Sequence, residues 1–331
     1  MQDIVTRHAS SSGFHVERRF GWDTHGLPVE HEIDKKLGIK SKDDVLAMGI
    51  DKYNAECRAI VMRYSSDWRE TVERIGRWID FDNDYKTLTL TYMESVWWVF
   101  GELFKKDLVY RGLRVMPYST GCTTPLSNFE AGLAYKDVND PAGKPKFTHR
   151  CGTVANQLTV TVAFPLVSDP KTVLLAWTTT PWTLPSNLGL CVHPDFEYVK
   201  IHDPSRGDTH LILQADLLNC IYSAKEMKKP TWKVITKYKG SDMKGWEYVP
   251  LFDYFAEQYK DRAFKVLTDK YVTKDSGTGI VHQAPAFGED DHRIALANGV
   301  IRNDEMPPCP MDETGTFTKD VPDFAGQYFK V

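Results

Sequence analysis

The stretch that most constrains this chain is Trp177 to Asn187, reading W-T-T-T-P-W-T-L-P-S-N. An apolar, β-branched run, Val173 to Trp177, precedes it and reads as a buried strand. Pro181 and Pro185 follow, each fixing φ and removing a backbone donor. A strand therefore delivers three hydroxyls, Thr178, Thr179 and Thr180, to its own end, where a stiff turn holds them. A second stretch, Gly277 to Asp291, repeats the arrangement: G-T-G-I-V-H-Q-A-P-A-F-G-E-D-D. A short strand runs into a Pro/Gly loop and carries His282, Glu289, Asp290 and Asp291. Taken alone, His282 is a histidine closing a strand, Asn187 a turn asparagine, and Asp23 a turn aspartate before Gly26. Gly277-Thr278-Gly279 lacks the third glycine and the following helix of a dinucleotide loop.

Around these stretches the pattern changes along the chain. Residues 1–40 read as a connecting strand and loop. Ser41 with Asp44 forms a capping-box start. Apolar positions from Ile50 to Ile79 then step by three and four, which predicts one long or two consecutive amphipathic helices. A further helix is predicted over 91–107, with Tyr92, Val96, Phe100, Leu103 and Phe104 on a core-facing stripe. Residues 109–119 read as a strand. Beyond 158 the texture is short alternating runs between Pro/Gly/Asp turns: 159–164, 172–177, 197–202, 210–213, 231–238 and 279–282 are strand candidates. Short helices are expected at 215–222 and 251–259, and another beginning near Asp291. The six cysteines form no C-x-x-C, and His149 with Cys151 lacks a partner pair, so no metal site is expected. No run of eighteen apolar residues spans a membrane, and residues 1–12 lack the apolar core of a secretory signal. The net charge of −4 argues against a general nucleic-acid coat. It leaves room for a local basic path, for which Lys225, Lys228, Lys229, Lys233, Lys237, Lys239 and Lys244 are candidates, as well as for a plain solvated face.

Together the two site stretches resemble the editing domain of isoleucyl-tRNA synthetase, a class I aminoacyl-tRNA synthetase. The valyl and leucyl enzymes would carry an arginine at Thr180. Further resemblance lies at Gly21 to Ile33 (G-W-D-T-H-G-L-P-V-E-H-E-I), Pro125 to Glu130, Pro250 to Phe255 and Pro308 to Asp312. The resemblance implies an α/β and α+β chain: a partial Rossmann-like class I catalytic half with helices over 1–140, a linker or insertion at 141–157, an inserted β-barrel-like editing domain over 158–318, and a return toward the catalytic domain at 319–331. Valine is one methylene smaller than isoleucine, and one methylene discriminates by only about 1–3 kcal/mol, a limit for which this very pair is the standard illustration. Editing answers it with a second site that hydrolyses valyl-tRNA and excludes isoleucine by size.

On the family pattern, Thr178, Thr179 and Thr180 line the terminal adenosine and the scissile ester, and Asn187 supports hydrolysis. His282 is the size wall and Asp291 anchors the α-ammonium. Asp23 matches the residue that binds the amino group of isoleucine in the synthetic pocket. No nucleophile elbow is present, so direct attack by water is expected. Editing needs no cofactor, whereas ATP and magnesium belong to the full-length enzyme. His-x-Gly-His and Lys-Met-Ser-Lys-Ser are absent, so the chain by itself is not expected to make isoleucyl-adenylate. The implied partners are the tRNA with the isoleucine anticodon, valine and isoleucine as aminoacyl groups, and a multi-synthetase complex for the full-length form. The implied location is the cytoplasm. A non-catalytic tRNA-binding module is the alternative.

Overall fold

The computed structural model describes residues 2–132, 160–275 and 277–329. The linker expected at 141–157, with His149 and Cys151, lies outside the described residues. The chain divides into two compact units, Met1–Arg111 and Gly112–Val331.

The first unit runs α1 (Gln2–Ser11), β1 (Arg19–Trp22), α2 (Leu27–Leu37), α3 (Lys42–Met48), α4 (Ile50–Arg74), β2 (Asp80–Lys86) and α5 (Leu90–Lys105). The first forty residues are thus not strand and loop. Asp3 sits in the first turn of α1 and pairs with Arg7 one turn on, while Pro28 opens α2 and Gly38, at φ 73°, closes it. The capping box Ser41–Asp44 forms as the sequence predicts. The long helix α4 ends at Arg74, and Ile79 lies beyond it, just ahead of β2. Parallel pairing of β1 with β2 sets Trp22 opposite Lys86, and Thr24 Oγ1 lies 2.9 Å from Thr87 Oγ1, tying the two strand-end loops together. Tyr53 donates to Asp34 Oδ1 (2.8 Å) and links α4 to α2. The stripe on α5 is not core: Tyr92, Val96, Phe100, Leu103 and Phe104 are all exposed. Periodicity identifies a face that can be buried, but no described element of its own unit covers this one.

The second unit opens with the short strands β3 (Tyr118–Ser119) and β4 (Thr124–Pro125) and helix α6 (Asn128–Gly132). Residues 109–117 form no strand, because no described segment pairs with them. Then come β5 (Val160–Pro165), β6 (Thr172–Thr178), β7 (Gly189–Val192), β8 (Glu197–His202), β9 (His210–Gln214), α7 (Ala224–Lys228), β10 (Lys233–Lys239), α8 (Ala256–Tyr259), β11 (Lys265–Thr268), β12 (Ile280–Gln283) and α9 (Glu289–Ala297). The expected helix at 251–259 shrinks to α8, and 215–220 is a 3₁₀ helix. Strands β4, β7 and β11, like β2 in the first unit, have no counterpart among the expected elements.

Pairing closes a ring. β6 lies beside β12, β12 beside β7, and β7 beside β11. Segment 245–249 bridges β11 to the end of β5 through Glu247–Lys265 and Leu166–Tyr248, and β5 returns along β6. Strands β9, β8 and β10 extend the sheet outward from the first half of β6. Strand β6 consequently has both faces covered. Leu174 and Ala176 belong to the ring's core with Phe164, Leu190, Val266 and Ile280, while Val173 and Leu175 belong to a second core with Ile201 and Leu213. That is why β6 reads as a continuous apolar run rather than an alternating one. The architecture is mixed α/β.

Candidate functional site

The site lies where the sheet forks. The first half of β6 is hydrogen-bonded to β9 and its end to β12, with Val281 opposite Trp177. Thr278 wedges the fork open: its hydroxyl donates to the Leu175 carbonyl (2.5 Å), and its carbonyl accepts from Gln214 N (2.9 Å). Gly279 flanks the wedge at φ 74°, where a Cβ would fall 2.3 Å from Gln214 Cβ, so only glycine fits. The Gly-Thr-Gly run is a sheet-splitting device rather than a phosphate loop.

Past the fork, β6 enters the 3₁₀ helix Pro181–Ser186. The three threonines then take different roles. Thr178 Oγ1 accepts from Thr180 N (3.0 Å), and Thr180 Oγ1 lies 3.3 Å from Thr178 Oγ1 and 3.4 Å from Thr183 Oγ1. Among the described residues, Thr179 makes no side-chain hydrogen bond, and it faces a cavity of about 570 Å³. The same cavity is lined by Thr178, Thr180, Thr183, His282 and Asp291, with Trp177, Tyr271 and Phe287 supplying apolar wall.

His282 is buried. Its Nε2 is 2.8 Å from Thr183 Oγ1 and its Nδ1 is 3.4 Å from Asn187 Nδ2. Desolvation lowers its pKa to about 4, so the ring is neutral at pH 7. Asp291 stands in the first turn of α9, where Gly288 leaves it room: a Cβ there would meet its carboxyl carbon at 2.8 Å. Oδ2 accepts from Ala284 N (3.0 Å), and Oδ1 has no protein partner among the described residues. Burial pushes the carboxyl up to about 6, the Ala284 bond opposes this, and Asp290 adds to it. Glu289 and Asp290 are exposed on the same turn, with Asp290 paired to Arg293 (2.9 Å).

Five of the expected site residues, Thr178, Thr179, Thr180, His282 and Asp291, thus line one cavity. Asn187 does not. It sits behind His282, donating to the Gly189 carbonyl (2.9 Å) and accepting from Tyr248 (2.6 Å). Asp23 belongs to the first unit and is exposed on the loop between β1 and α2. Thr183, Tyr271 and Tyr248 were not anticipated. Thr183 could have been found, since it falls one 3₁₀ turn after Thr180 and donates to its carbonyl (2.8 Å). Among the described residues no group of three His, Cys, Asp or Glu is placed to hold a metal ion, and no helix is long and apolar enough to cross a membrane.

The family model for tRNA synthetases class I (I, L, M and V) matches residues 1–283. The chain belongs to this family. Within the class I synthetases, it is 58% identical over 330 residues to the cytoplasmic isoleucine–tRNA ligase of Saccharomyces cerevisiae, covering 100% of this chain and 29% of that protein. It is 54% identical over 330 residues to the cytoplasmic isoleucine–tRNA ligase of Mus musculus, covering 100% of this chain and 24% of the relative. The chain therefore spans under a third of the length of these class I relatives. A solved structure described as "The crystal structure of GlLeuRS-CP1" matches 52% of this chain and 91% of its own at 16% identity, with a TM-score of 0.37.

Proposed function

We propose that the cavity at the end of β6 hydrolyses the ester of valine mischarged onto the tRNA that carries the isoleucine anticodon. What supports this most is a pair of unengaged groups facing one space: the Thr179 hydroxyl and Asp291 Oδ1. A carboxylate that accepts only one backbone N–H has capacity left for an ammonium, and a charge-assisted bond is about twice as strong as a neutral one. The arriving α-ammonium would pull the Asp291 pKa back down and hold the carboxylate ionised. The Thr179 hydroxyl can then orient water, or the ribose hydroxyl of the substrate, at the ester carbonyl. The neutral His282 ring acts as a wall, and its nitrogens are already bound to Thr183 and Asn187. A side chain one methylene longer than valine would have to displace it.

This reading takes no cofactor. Ligation of isoleucine with ATP and magnesium, the synthetic role of Asp23, a multi-synthetase complex and a cytoplasmic location extend the same proposal to a chain as long as the relatives. Lys225, Lys228, Lys229, Lys233, Lys237, Lys239 and Lys244 are exposed, and β10 carries three of them. They provide a phosphate track for the acceptor end, so affinity should fall steeply with salt.

The test is ester loss from valyl-tRNA with the purified chain, run beside filter binding. Hydrolysis faster than in buffer is expected, and Asp291→Ala should abolish it. Binding without any acceleration would leave only a tRNA-holding module.

A further inference from the structure

The residues behind the cavity form a chain of donors whose direction is set by chemistry. Tyr248 lies in segment 245–249, which closes the ring between β11 and β5, and it is fully buried against Phe164 and Phe264. Its hydroxyl donates to Asn187 Oδ1 (2.6 Å). The Gly189 carbonyl can only accept, so the amide nitrogen of Asn187 must face it (2.9 Å). The second proton on that nitrogen points to His282 Nδ1 (3.4 Å). A proton on Nδ1 would oppose it, which leaves the ring proton on Nε2, aimed at Thr183 Oγ1 (2.8 Å). Thr183 in turn donates to the Thr180 carbonyl (2.8 Å). Each link has one donor and one acceptor, and the direction is set at Asn187: turning its amide round would put Oδ1 against the Gly189 carbonyl and leave that buried oxygen without its donor.

We infer that Tyr248 is a positioning residue for this site: through Asn187 it holds His282 as the Nε2–H tautomer and thereby fixes the imidazole wall and the threonine turn. The consequence for hydrolysis rests on the proposed function, whereas the tautomer does not. Tyr248 lines no part of the cavity, so its removal should act on orientation rather than on substrate affinity.

The experiment uses the full chain labelled with ¹⁵N-histidine, with the His282 signals assigned by their loss in His282→Gln. Unsubstituted protein should show Nε2–H alone. In Tyr248→Phe the two tautomers should mix. The kcat for valyl-tRNA should then fall by up to about 100-fold while KM moves by less than about twofold. Isoleucyl-tRNA should also become a better substrate relative to valyl-tRNA. An unchanged tautomer in Tyr248→Phe, or an unchanged kcat and discrimination, overturns the inference. Should Tyr248→Phe fail to fold, Asn187→Asp replaces the amide donor with an acceptor and should move the proton to Nδ1; persistence of Nε2–H there overturns it equally. Should the unsubstituted chain hydrolyse nothing, the hydrolytic reading fails, and the ¹⁵N spectra still decide the tautomer relay.

Discussion

The two units show the same kind of apolar patterning with opposite results. Among the described residues of Met1–Arg111 the buried hydrophobic side chains are Ile33, Tyr53 and Val72, while Trp97, Trp98 and Phe104 on α5 are exposed. In Gly112–Val331 a closed ring of strands buries Phe164, Leu174, Leu190, Val192 and Val266 to the last few per cent. The difference lies in partners rather than in composition. A strand in a closed ring finds its neighbours within the unit, whereas an amphipathic helix needs a second surface that its own sequence cannot supply. A ring that over-determines its members can also carry costly groups: the half-buried Asp291 carboxyl and the buried His282 imidazole line one cavity at its fork.

The largest effect should come from the cores. Leu190→Ala should cost about 2–5 kcal/mol in denaturant unfolding of the second unit, whereas Trp97→Ala, at 75% exposure, should stay within about 0.5 kcal/mol. Equal losses would erase the contrast between the units.

Next comes Asp291. Its folded pKa of about 6 lies above its ordinary value of 3.8, so its charge opposes folding at neutral pH, by about 3 kcal/mol. Asp291→Asn should therefore raise the unfolding midpoint of the second unit while removing hydrolysis of valyl-tRNA. A destabilised Asp291→Asn protein would mean that the carboxylate is part of the fold rather than a burden carried for function.

The pH dependence sharpens this. For His282, with a folded pKa near 4 against an ordinary 6.5, stability is full above pH 6.5 and is lost as pH falls toward 4, by about 3 kcal/mol. Asp291 runs the other way, with its penalty relieved below pH 6. The two nearly offset in the unsubstituted protein, so its stability should be flat between pH 4 and 6.5. Asp291→Asn should expose the histidine limb as a steep acid loss, read from unfolding midpoints at a series of pH values.

Smaller still is the distinction among the threonines. Thr179→Val should cost about 1–2 kcal/mol in transition-state stabilisation with unchanged stability. Thr178→Val should cost about 1 kcal/mol of stability by unpairing Thr180 N. Equal effects on rate and stability at both positions would deny that only one hydroxyl of the three is free for substrate.

Much of the site was legible because its residues sit at strand ends that announce themselves locally. The run Val173 to Trp177 is apolar throughout because both faces are covered, and Pro181 and Pro185 mark where it stops. The strand end that carries His282 and the helix start that carries Asp291 are legible in the same way, whereas the choice of Asp291 among the three acids of that turn rested on the family resemblance. Strands β7 and β11 were not legible: each is only four residues long, and they pair in parallel, Gly189 with Lys265, a contact distant in sequence that no local pattern carries. Tyr248 was hidden for the same reason, since its role exists only once segment 245–249 closes the ring. The α5 stripe shows the converse, a periodicity that correctly gives a helix and says nothing of what covers it.

The most direct test is the single-turnover rate of ester loss from valyl-tRNA and isoleucyl-tRNA, both bearing the isoleucine anticodon, measured side by side with the unsubstituted chain and with His282→Ala. A wall at His282 predicts valyl loss at least about tenfold faster than isoleucyl loss, with the gap closing in His282→Ala. Equal rates in the unsubstituted chain, or a gap that survives His282→Ala, would contradict a cavity that sorts its substrate by one methylene.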